Sequence, residues 1–87
     1  MKFNGEFAVR QIGGVFYAVP TGKTASEMKC MIKLNESAAF LWEKAASGED
    51  EETLCSSLAL RFGLDEEKAK KDVSDFIATL RGAKIID

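Results

Sequence analysis

The chain has 87 residues, 46% of them hydrophobic, a length that builds one compact core and leaves too little for two domains. Its formal net charge is -2 and its pI near 5.2, so no overall positive field draws it to nucleic-acid phosphates. Histidine is absent, which removes the Ser/His/Asp and Cys/His nucleophile arrangements and every histidine metal site; two cysteines alone cannot complete a structural zinc site.

The opening segment, MKFNGEFAVRQ, has no apolar stretch of signal-peptide length. The longest mainly apolar run, Val15 to Pro20, is too short to cross a bilayer, so a soluble cytoplasmic protein is expected. In FAVRQI the side chains of Phe7, Val9 and Gln11 alternate with those of Ala8, Arg10 and Ile12, and Gly13-Gly14 supplies a two-residue turn before VFYAV. A β-hairpin over residues 7–19 follows, ended by Pro20. PTGKTASE has the small polar residues and turn formers of a surface loop. Residues 28–34 alternate again, with Met28, Cys30, Ile32 and Leu34 on a buried face and Lys29, Met31 and Lys33 opposite, which predicts a third strand. Cys30 and Cys55 both sit inside apolar patterns and read as reduced, buried thiols.

Asn35 is suited to cap a helix that carries Ala38, Leu41, Trp42 and Ala45 as its apolar stripe and stops near Gly48. Phe40 lies off that stripe and reads as core rather than as an exposed contact. A second helix begins near Asp50, with Leu54, Cys55, Leu58 and Phe62 as its stripe, and ends at Gly63. Glu51 and Glu52 belong to its first turn, where carboxylates offset the helix dipole, so the run EDEE argues weakly for a metal. Asp65 caps a last helix with Ala69, Val73, Phe76, Ile77 and Leu80 on its apolar face and Gly82 at its close; the isoleucines of the tail AKIID pack back on the core. The order is therefore β-β-β followed by α-α-α, an α+β domain spanning 1–87.

Such a sheet has two edges, each a row of backbone donors and acceptors open to another chain. On the third strand Lys29 and Lys33 serve either as protective charges or as attractants for an acidic peptide laid alongside. On the last helix Asp72 and Thr79 border the apolar stripe on one side, and Lys70 and Arg81 on the other.

The segments LNESAAFLWEK and GLDEEKAKKDVSDFIATLRGAKII, taken with this element order, resemble the PqqD family from about Phe7 to Ile86. The resemblance rests on the junction Leu34-Asn35-Glu36, the pair Leu41-Trp42, the pair Asp72-Val73 with Phe76, and the closing stretch from Leu80 to Ile86. It departs from the family's pattern at TGKTASEMKC, which replaces a shorter or more glycine-rich connection. The resemblance implies a winged-helix-like domain with a three-stranded antiparallel sheet followed by a three-helix bundle. It also implies a cofactor-free role: recognition of the leader segment of a ribosomally made precursor peptide, and its presentation to a modifying enzyme, often of the radical S-adenosylmethionine class. Carried over residue by residue, the groove would use Lys29, Met31 and Lys33 of the strand and Asp72, Val73, Phe76 and Thr79 of the helix. Monomer and edge-paired dimer both remain open. Two rival readings are a winged-helix DNA-binding regulator, disfavoured by the mixed charge of the second and last helices, and a scaffold subunit that docks on one enzyme without a peptide. No nucleophile–base pair supports an enzyme.

Overall fold

Gly13 and Gly14, with φ of 58° and 83°, close the first hairpin with the positive-φ pair of a type I′ turn, whose twist matches that of the strands it joins. The computed structural model describes residues 1–87. In chain order its elements are β1 (Phe7–Ile12), β2 (Val15–Pro20), α1 (Gly22–Glu27), β3 (Ile32–Leu34), α2 (Glu36–Ala46), α3 (Glu51–Phe62) and α4 (Glu66–Gly82). The strands form one antiparallel sheet in the order β1-β2-β3, so the architecture is α+β as expected.

Two expectations change. The segment read as a loop holds a short helix, α1, making four helices rather than three. Thr24 Oγ1 of α1 accepts from the backbone N–H of Glu6 at 2.8 Å, and Thr21 N–H donates to the Glu6 carbonyl at 2.9 Å, so the chain is pulled round the end of the hairpin. The third strand is also shorter than residues 28–34: only Ile32–Leu34 pairs. Phe16 faces Leu34 and Ala18 faces Ile32, and continuing that register sets Pro20 opposite Cys30. Proline has no N–H to offer the ladder, and β2 leaves the sheet there, so the alternating residues 28–31 have no partner. Consequently Met28 is only half-buried, and Cys30 is exposed rather than buried as the alternation suggests.

The three longer helices begin where expected. Asn35, Asp50 and Asp65 each accept a hydrogen bond from the backbone N–H three residues on, at 2.8 Å in every case. Gly63, in the left-handed region at φ 65°, ends α3. Trp42 of α2, buried, is the centre of the core: the rings of Phe3, Phe7 and Phe76 lie 5.5, 5.3 and 6.4 Å from it. All five residues of the apolar face expected of α4 are buried, as are Ile85 and Ile86 of the tail. The tail also meets the first residues of the chain, with Phe3 bridged to Ile86 and Asn4 N–H donating to the Ile85 carbonyl at 2.7 Å. Phe40 is half-buried in a satellite of the core, edge-on to Phe62 at 5.7 Å. No helix is long and apolar enough to cross a membrane.

Candidate functional site

The hairpin turn sets the phase of every backbone group in the sheet. Its closing pair, Ile12 and Val15, is hydrogen-bonded through the turn, and bonded and non-bonded pairs alternate from there in an antiparallel ladder. Arg10–Tyr17 and Ala8–Val19 are then bonded pairs, while Phe16 and Ala18 turn their N–H and C=O groups toward Leu34 and Ile32 of β3. Lys33 is left with its backbone donor and acceptor pointing out of the sheet. The three residues before β3, Lys29 to Met31, pair with no other backbone group.

The two sheet edges are not equivalent. On β1 the outward carbonyl of Val9 is capped by the guanidinium of Arg10, whose Nη1 donates to it at 3.1 Å. No side chain occupies the backbone groups of Lys33 on β3 in this way. Charged side chains that cover an edge deter strand addition, so β1 is guarded at a point where β3 is open.

Beside β3 lies a groove of about 450 Å³ between that strand, α2 and α4. Its floor is apolar, with Ile32 and Leu34 from β3, Ala38 and Leu41 from α2, and Phe76 and Leu80 from α4. Its rim is polar, carrying Lys33, Asn35 and Ser37 on one side and Lys68, Asp72, Asp75 and Thr79 on α4. The charges of the helical rim are already compensated: Lys68 Nζ lies 2.6 Å from Asp72 Oδ1, and Lys71 Nζ 3.0 Å from Asp75 Oδ2. The second bond holds the Lys71 ammonium above the usual lysine range. Lys33 has no ion pair or side-chain hydrogen bond within the protein, which makes it the one uncompensated charge on the rim.

Of the residues expected to form a groove, Lys33, Asp72, Phe76 and Thr79 do line it together. Phe76 is nearly covered, at 8% exposure, and belongs as much to the core as to the floor. Val73 has no exposed surface; it supports the floor from beneath and offers no atom to a ligand. Lys29 and Met31 lie just outside the paired strand and outside the lining, although Met31 is half exposed. Sequence reasoning missed the contributions of α2, Ala38 and Leu41, because a helical stripe identifies the buried face without saying which part of it borders a gap. Asp75 and Lys68 were likewise visible only as members of a balanced charge run.

A larger cleft, of about 830 Å³, separates α3 from α4. Glu51, Glu52 and Glu66 on its border all sit in first helical turns, where carboxylates offset the dipole, and Lys70 is 2.9 Å from Glu66. Burial, and then the charge of Glu51, pushes the Cys55 thiol up, away from the reactive thiolate. These features have a structural account in the helix dipole and in burial. Lys68, Lys70 and Lys71 of α4 each form an ion pair along their own helix.

The family model described as PqqD, coenzyme PQQ synthesis protein D, matches residues 24–86. The chain belongs to the PqqD family. The match runs from the middle of α1 through β3 and all three longer helices, and so contains the whole groove lining; β1 and β2 precede it. No curated protein and no solved structure matches the chain. The family's description ties it to coenzyme PQQ synthesis.

Proposed function

We propose that this PqqD-family protein binds the leader segment of a ribosomally made precursor peptide as an added strand on β3 and presents it to a modifying enzyme. The observation that carries this reading is the unguarded backbone of Lys33 next to an apolar groove, on the one sheet edge that α4 flanks. Main-chain hydrogen bonds along the strand would supply affinity irrespective of sequence, and side chains seated on Ile32, Leu34, Leu41, Phe76 and Leu80 would supply selectivity. The unpaired residues Lys29 to Met31 would lengthen the strand once a guest arrives.

The protein then works by proximity. A leader held at micromolar strength, roughly -8 kcal/mol, raises the local concentration of the attached core segment at a partner enzyme without stabilising any transition state. A radical S-adenosylmethionine enzyme is the partner class this role fits. No residue of the groove is asked to do chemistry, and the chain has no histidine to serve as a general base. The winged-helix-like description belongs to this same reading, with the hairpin as the wing beside α2, α3 and α4.

Amide hydrogen exchange provides the test, with a synthetic leader peptide taken from a short reading frame beside the gene. On addition of the peptide the amide of Lys33 should become protected together with that of Met31, while the β1 amides should be unaffected. Unchanged exchange at Lys33 in the presence of a bound peptide rules out strand addition on β3.

A further inference from the structure

Resting on that reading, the alternation of the sheet specifies what the guest segment carries. Ile32 and Leu34 turn inward and pack against the core, so Lys33 between them points its side chain to the outer face of the sheet. A residue bonded to the outward N–H and C=O of Lys33 lies directly opposite it, and residues opposite each other in a ladder share a face. The guest residue at that position is therefore a cross-strand neighbour of the Lys33 side chain, and the residues before and after it face the apolar floor. On the same outer face Lys33 is followed by Tyr17 and then Arg10, so the row across the sheet holds two cations and no carboxylate. Both aspartates of the groove rim are taken by lysines of α4.

We propose that the groove selects an extended segment with apolar residues at every second position and a carboxylate, Asp or Glu, at the intervening position opposite Lys33. Edge protection is the competing role for a lone lysine on a strand, and it demands no preference in the guest. Opposite charges facing each other across a ladder make a modest, salt-sensitive difference, which translates into about two- to five-fold in affinity.

The probes are three synthetic peptides of about six residues, a usual strand length. They share apolar residues at alternate positions and differ only in Glu, Gln or Lys at the central intervening position. Binding is followed through the amide shifts of residues 31–34 and 72–80, in the wild-type protein and in Lys33→Glu, at low and high salt. Wild-type protein should prefer Glu over Gln over Lys by about two- to five-fold per step, and Lys33→Glu should invert the order, both differences shrinking in salt. Equal affinities for the three peptides, or the same order in both proteins, would overturn the charge rule while leaving the groove intact. Failure of all three to shift groove amides would count against the groove and the rule together.

Discussion

Asp50 illustrates how single side chains set the helix boundaries. Its Oδ1 accepts from the Thr53 N–H at 2.8 Å, and that bond, with a second contribution from the Thr53 side chain, holds the carboxyl below its ordinary value of 3.8. A carboxyl depressed in the folded state stabilises the fold above its unfolded value, and the contribution is lost as pH falls through the lower folded value. Asp50→Ala should therefore lower the melting temperature at pH 7, and the gap to wild type should close as the pH drops below about 3.8. Melting curves at pH 7, 4 and 2.5 check this; a gap that persists at the lowest pH would mean that the cap acts through something other than the ionised carboxylate. Asn35 and Asp65 were legible as caps, and a helix start near Asp50 was legible too, because the capping bond spans only three residues of chain. Cys30 was not legible, since its exposure depends on Pro20 lying opposite it in a neighbouring strand.

At the scale of elements the decisive feature is the shortness of β3. The period-two pattern of residues 28–34 is genuine, but a strand needs a partner as well as a pattern, and β2 has no N–H at Pro20 and no chain in the sheet beyond it. Met31→Pro separates the folding and binding roles of this segment. Because the Met31 amide pairs with no backbone group in the free protein, the far-UV circular dichroism and the thermal midpoint should change little. Leader binding, however, should fall at least several-fold, because the strand loses an outward donor and the geometry needed to lengthen. Equal affinity of Met31→Pro and wild type in a calorimetric titration would confine the guest to Ile32–Leu34. The α4 stripe was legible throughout, since five apolar residues recurring at helical spacing leave one face to bury.

For the molecule as a whole, the hairpin that precedes the family match is part of the core. Ala18 of β2 is fully buried, Phe7 of β1 packs edge-on against Trp42, and β3 has no strand neighbour other than β2. Removing residues 1–20 should therefore abolish cooperative unfolding and shift the emission of Trp42, the only tryptophan, to the red. Urea titrations followed by fluorescence measure both, and a truncated chain that still unfolds in one sharp transition would show that the region 24–86 folds without the hairpin. What the sequence by itself determined was governed by short spacing: the hairpin turn, the caps Asn35 and Asp65, the α4 stripe with most of the α2 stripe, and the family-bearing pieces around Leu34-Asn35-Glu36 and Phe76. Only the tertiary structure decided which edge lies open and which rim charge has no partner, and which core-facing residues border a gap. Those properties belong to pairs of segments far apart in the chain, brought together by the register of β2 on β3 and by the packing of α4 beside α2, and no local pattern encodes them.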